Sequence, residues 1–178
     1  MDRTAVLHGS PDHHPISSMS DVDPNLYRDD FLAWAIQQAA LIRTLDVPSL
    51  DAERVAEELE AAGEREIQQC KVQLRQVMMT LIKLSLEPDL AVEDRGAMAE
   101  VIVVSVNDVS DTVQPSHLNR LDVDIIWRQA LREISVARSV NLPDQCPLHL
   151  DWLLSDDFEV EPAIESVRTV VADGGTAE

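Results

Sequence analysis

The stretch VAEELEAAGERE, Val55 to Glu66, places five glutamates in twelve positions. Glu57 and Glu60 lie three apart, which on a helix turns both carboxylates to one face. Such a pair is a typical protein contribution to Mg²⁺, which prefers oxygen ligands and takes one or two carboxylates. Asp108 and Asp111 repeat the spacing further along the chain, and the four acids together form a candidate Mg²⁺ set. The rival reading is a helix face in water, with Glu57, Glu60 and Glu64 hydrated. Glu58 is a different case, since it flanks Val55 and Leu59 on the apolar stripe. A carboxylate there loses water and needs a donor, or its pKa rises. Arg43 is the expected donor, with backbone groups at a bend near Gly63 as the alternative.

Other catalytic patterns are missing. The chain has no Gly-rich phosphate loop, no Cys-x-x-Cys pair and no His-Glu-x-x-His motif. His117 and His149 stand near helix starts without an acid or nucleophile beside them and read as surface residues. Cys70 and Cys146 are too few and too far apart for a disulfide framework, and Cys70 falls in an apolar repeat that would bury its thiol. No cofactor is expected, Mg²⁺ being the alternative.

Charge narrows the partners. Asp and Glu number 33 against 14 Lys and Arg, a net charge of −19. That field repels a phosphate backbone and an anionic membrane surface, so neither nucleic acid nor membrane is an expected partner. The longest apolar run, Val101 to Val106, is far short of a membrane span. With no signal sequence visible either, a cytoplasmic location is expected.

The elements that must position these residues are helices. Asp23 and Pro24 open the first, whose Tyr27, Phe31, Trp34, Ala35, Gln38, Ile42 and Leu45 recur at helical steps. Trp34 belongs to its expected inner face. Pro48 breaks the pattern, and Ser49 or Asp51 can cap a long second helix that runs to Pro88. Its second half is a heptad of Ile67, Cys70, Leu74, Val77, Leu81 and Leu84. Its first half carries Val55, Ala56, Leu59 and Ala62, with Gly63 between the halves as a bend or a point of close approach. The Val-rich segment around 96–113 keeps helical spacing through Met98, Ile102, Val106 and Val109, and no second strand exists for it to pair with. Ser116 caps an expected fourth helix carrying Leu121, Ile125, Trp127, Ala130, Leu131, Ile134 and Ala137. A short helix in CPLHLDWLL closes one end. The expected fold is all-α, an antiparallel bundle of about four main helices plus a short C-terminal helix. The expected organisation is a disordered tail over 1–22, a bundle over 23–162 and a flexible acidic tail over 163–178.

Three stretches, LYRDDFLAWAIQQAALIR, LDAERVAEELEAAGERE and CPLHLDWLLSDDF, together resemble a bacterial family, domain-of-unknown-function family twenty-nine. Their order and spacing agree with it from Leu26 to Phe158. Thr80 stands where that family usually has a His, and Leu148 where it has a Tyr after Cys-Pro. The resemblance implies an all-α fold and a bacterial source, and no established activity. The carboxylate pairs are also similar to those of all-α nucleoside-triphosphate pyrophosphohydrolases, although the gap between pairs is longer here. That likeness implies Mg²⁺-dependent hydrolysis as the alternative function. The leading expectation is a non-catalytic acidic helical module that binds another protein or itself, a homodimer among its forms. The only two lysines, Lys71 and Lys83, share the heptad helix with Arg65 and Arg75. Its outer side is therefore expected to be the least acidic surface and a docking edge for an acidic partner.

Overall fold

A computed structural model of the chain describes residues 23–135 and 143–174. The expected N-terminal tail over 1–22, Ala137 and the last four residues lie outside them. Among the described residues there are eight helices and no strand: α1 (Leu26–Asp29), α2 (Phe31–Arg43), α3 (Ala52–Leu86), α4 (Val92–Thr112), α5 (Pro115–Leu118), α6 (Val123–Ser135), α7 (Leu150–Leu153) and α8 (Val160–Gly174). The all-α bundle expected from the sequence is the fold observed.

The spine is α3, 35 residues and about 50 Å long at 1.5 Å per residue. Its predicted heptad faces inward throughout, with Ile67, Cys70, Leu74, Val77, Leu81 and Leu84 all buried. Toward its C-terminal end Met78, Thr80, Ile82 and Ser85 are buried as well, because α4, α6 and α8 surround that half. A side-chain tie joins this half to α8: the Ser85 hydroxyl donates to the Ile164 carbonyl at 3.1 Å. Thr80 satisfies its buried hydroxyl locally, donating to the Gln76 carbonyl at 2.8 Å. The N-terminal half of α3 packs against α2 alone on one side. Leu32 at the start of α2 meets Gly63, and Arg43 at its end meets Glu53 and Glu60, so the two helices are antiparallel.

Four expectations need correction. The first helix is broken at Asp30, whose extended backbone ends α1 while its side chain caps α2 by accepting from Ala33 N. Its core face is Leu32, Ala35 and Ala39, not the aromatic row. Tyr27, Phe31 and Trp34 instead gather beside it, Trp34 lying 4.8 Å from Tyr27 and 5.6 Å from Phe31 between ring centres. The reason is spacing: α2 and α3 come so close that Ala35 and Ala39 fit between them, and Leu32 only opposite Gly63. The expected fourth helix is also two elements. Gln114 caps the single turn of α5, and Asp122 caps α6 by accepting from Ile125 N at 3.0 Å. Ile125, expected inside, is exposed, and Ile126 takes the core position.

The fourth correction concerns the end of the domain. Residues 163–174 belong to α8, with Ala163, Ile164 and Val167 buried in the core. Arg95 of α4 pairs with Glu161 at 3.0 Å and ties this helix down. The C-terminal helix of the bundle is therefore α8, while the expected short helix in CPLHLDWLL is the four-residue α7.

Both cysteines are free and buried. Burial pushes the Cys146 thiol up to about 12, outweighing a hydrogen bond from Leu148. Burial first, and then the negative charge of Glu66, raises Cys70 as well. Because the thiolate is the reacting species, neither cysteine should react with Ellman's reagent in the native protein. Two equivalents should react in denaturant. Rapid native labelling of either would contradict the packing around it.

Candidate binding groove

The carboxylates of the opening motif are placed by the phase of α3. Counting back from Ile67 by alternating steps of four and three gives Gly63, Glu60, Ala56 and Glu53, the row that faces α2. Glu60 is thus turned toward Arg43, which holds it bidentately with Nη1–Oε1 at 2.6 Å and Nη2–Oε2 at 3.0 Å. Arg43 Nε also donates to Glu53 at 3.1 Å. The guanidinium keeps the Glu60 carboxyl below its ordinary value, and Glu60 and then Glu53 raise Arg43 in turn. Arg43 is the predicted donor, but the predicted acceptor, Glu58, is exposed. The expected apolar row was one residue out of phase, as the exposure of Val55 shows.

The four candidate Mg²⁺ ligands are not brought together. Glu57 is exposed and Glu60 is committed to Arg43. Asp108 meets α3 at Gln73, whose Nε2 donates to it at 3.3 Å. Gln73 is thirteen positions beyond Glu60, about 20 Å along the helix axis. Asp111 is exposed one turn further along α4. Among the described residues no group of three or more His, Cys, Asp or Glu is arranged to hold a metal ion.

A polar cluster that the sequence did not suggest joins α2, α5 and α3. Asp30 accepts from Ser116 N at 2.9 Å and from the Ser116 hydroxyl, while Gln114 Oε1 accepts from Phe31 N at 2.8 Å. His117 is fully buried, which corrects its reading as a surface residue; His149 is exposed. The His117 Nδ1 accepts from Gln114 N at 3.3 Å, and its Nε2, without a hydrogen bond, lies 3.8 Å from Glu66 Oε2. Serine, histidine and aspartate are the residue types of nucleophilic catalysis, yet the roles do not fit. The Ser116 hydroxyl gives its proton to a carboxylate rather than to the imidazole, and the ring has no open face. This cluster is a tie between helices.

Beside it lies a hollow of about 310 Å³ between α3 and α6, lined by Gln68, Lys71, Val72, Arg75, Arg120, Asp122, Ile125, Ile126 and Gln129. Helical spacing builds both walls: positions 68, 71, 72 and 75 share a side of α3, and positions 122, 125, 126 and 129 share a side of α6. An ion pair closes each end. Arg120 binds Glu64 at one, and Arg75 binds Glu133 at 3.1 Å at the other. From Glu64 to Arg75 the groove is about 16 Å long. These pairs also show that α6 runs parallel to α3. Between them Lys71 has no ion-pair or hydrogen-bond partner among the described residues. Two aliphatic side chains stand open beside it, Val72 at 48% and Ile125 at 46% exposure.

The charge here is less acidic than the chain as a whole, with Glu64 and Glu133 balancing Arg120 and Arg75 at the ends. Six of its 14 Lys and Arg residues fall in 65–75 and 120–132, namely Arg65, Lys71, Arg75, Arg120, Arg128 and Arg132. Asp122 is the single acid among the groove's lining residues. Lys71 and Arg75 were expected on the least acidic edge. The α6 wall was missed because Ile125 was assigned to the core, although its place one residue before a buried Ile-Trp pair could have marked it as outward.

Fold and groove together describe an all-helical protein built on one long helix, with a hollow lined by Lys71, Arg75 and Arg120 in a chain of net charge −19. The chain belongs to the family described as domain of unknown function DUF29, whose model matches residues 26–159. Among solved structures it is similar to an α-helical protein of unknown function from Rhodospirillum rubrum. The identity is 28%, the TM-score is 0.69, and the match covers 78% of this chain and 95% of that one. No curated protein matches it. Among the described residues no helix is long and apolar enough to cross a membrane.

Proposed function

We propose that the protein is a non-catalytic interaction module that seats an acidic amphipathic helix in the groove between α3 and α6. One observation carries this reading: Lys71, with no ion-pair or hydrogen-bond partner among the described residues, lines the groove with two open aliphatic side chains in a chain of net charge −19. An exposed Val and Ile supply apolar contact, and the cations select against a basic ligand and fix its register. The ion pairs of Arg75 and Arg120 are solvent-exposed, so each is worth about 1 kcal/mol or less and exchanges readily for a partner's carboxylate.

The test uses a fluorescent helical peptide with Glu flanking a Leu stripe, and its twin with Lys for Glu. Anisotropy should rise on adding protein to the Glu peptide and stay flat for the Lys peptide. Lys71→Glu with Arg75→Glu should weaken binding at least tenfold, about 1.4 kcal/mol or more, with circular dichroism unchanged. Equal binding of both peptides, or binding indifferent to the double variant, would refute the groove as an acidic-helix site.

A further inference from the structure

A docking groove for an acidic helix calls for such a helix, and this chain displays one. Helix α4 has a single buried row, Ile102, Val106 and Val109. Its opposite side is unpartnered among the described residues yet partly apolar, with Val101 44% and Val104 52% exposed. Acids frame those valines. Glu93, Asp94, Glu100, Asp108 and Asp111 face one base, Arg95, which is held by Glu161. Glu100 and Asp111 have no ion-pair or hydrogen-bond partner among the described residues.

We propose that the groove's occupant is the outer face of α4 from a second copy of this chain. The idea rests on the groove being a docking site and adds the identity of its ligand. The two surfaces are complementary in charge and in size. Eleven residues separate Glu100 from Asp111, about 16 Å on a helix, which is also the length of the groove. With Val101 and Val104 against Val72 and Ile125, the acids at either end of the α4 face reach Arg120 or Arg75, and Lys71 lies between.

The contact cannot form within one molecule. Gln73, which meets α4, is two residues from Lys71 and two from Arg75, and so lies about 160° around α3 from both. The groove and the α4 face are therefore on opposite flanks of the spine. Docking one into the other joins unlike surfaces, and repeating it gives a ring or an open chain. The net charge of −19 opposes the encounter of two copies. At about 0.15 M salt the Debye length is near 8 Å, which screens that long-range repulsion far more than pairs in contact.

Two charge reversals on the full chain test this by mixing. Lys71→Glu with Arg75→Glu reverses the groove; Glu100→Lys with Asp111→Lys reverses the face. Sedimentation equilibrium of the wild type in 0.15 M salt should show species heavier than the 19.8 kDa monomer, growing with concentration. Each variant alone sets like charge against like and should associate at least tenfold more weakly. An equimolar mixture restores opposite charge at both junctions and should recover association. Circular dichroism checks that each variant folds. If a reversal unfolds the chain, Lys71→Gln and Glu100→Gln, each alone, should still weaken association. A wild type that binds the Glu peptide but stays monomeric overturns self-docking and leaves the groove reading intact. Association that ignores the groove reversal overturns self-docking through the groove; Glu-peptide binding that also ignores it overturns the groove reading as well. A mixture of folded variants that stays monomeric overturns the assignment of α4 as the ligand.

Discussion

Replacing Gly63 by leucine is expected to force α2 off α3 and to lower the melting temperature by roughly 10 °C, corresponding to about 3 kcal/mol. A methyl carbon built at Gly63 would lie 2.7 Å from Leu32 Cδ1 and 3.2 Å from Leu32 Cα. The first contact can be relieved by turning the leucine side chain; the second is with the backbone of α2 and can be relieved only by moving that helix. Alanine at the same position is the informative control. It gains about 1 kcal/mol of helix propensity over glycine, which offsets a displacement of a few tenths of an ångström. Gly63→Ala should therefore be close to neutral, whereas Gly63→Leu has three more carbons to place against the same backbone. Thermal unfolding followed by circular dichroism checks both. A leucine variant as stable as the wild type would mean that α2 is not held against α3 at this point.

That close approach explains which parts of the fold were legible in the sequence. The heptad from Ile67 to Leu84 was legible because burial on α3 follows the 3.5-residue period of its aliphatic residues. Upstream, the same row continues as Gly63, Glu60, Ala56 and Glu53, a glycine, an alanine and two acids. Large side chains at Val55 and Leu59 therefore drew the assignment one residue out of phase. The error moved Arg43's partner from Glu60 to Glu58. Carrying the heptad back through Gly63 would have found it, since a tight interface selects small residues rather than apolar ones. The aromatic row of α2 misled for the same reason, as Ala35 and Ala39 fit where Trp34 does not.

Two other features differ in kind. Helix α8 carries Val160, Ala163, Ile164 and Val167 at helical spacing, with Pro162 in its first turn. Its signal was present but outweighed by the acids and glycines that follow. The groove was half legible. The cations of α3 could be read from the rarity of lysine in the chain, but their position opposite Arg120 and Ile125 depends on α6 running parallel to α3. No local pattern encodes that. His117 was illegible for a similar reason, because its burial comes from α2 and α3, which are distant in sequence.

Replacing Asp30 is the second change expected to have a large effect, and here the effect depends on pH. Asp30 is 8% exposed and accepts from Ala33 N, Ser116 N and the Ser116 hydroxyl. Alanine removes the cap of α2, worth about 1 kcal/mol. It also leaves two donors of Ser116 without an acceptor, at about 1 kcal/mol or more each. A total near 3 kcal/mol again corresponds to roughly 10 °C. Asparagine should fall between, because its carbonyl can keep the Ala33 cap while its amide nitrogen faces the Ser116 N–H, donor against donor. The carboxylate sets the pH dependence. Burial works to raise the Asp30 pKa, but the Ser116 hydroxyl, the two backbone donors and the nearby His117 together outweigh it and hold the value below the ordinary 3.8. A carboxyl depressed by folding binds protons less readily in the native state than in the unfolded chain. Its stabilisation is therefore complete above the ordinary value and is lost as the pH falls through the folded one. The gap in melting temperature between wild type and Asp30→Asn should be constant from pH 7 to about pH 5 and should narrow below the ordinary carboxyl range. A gap that widened on acidification would require a protonated Asp30 in the native protein, which its three donors exclude.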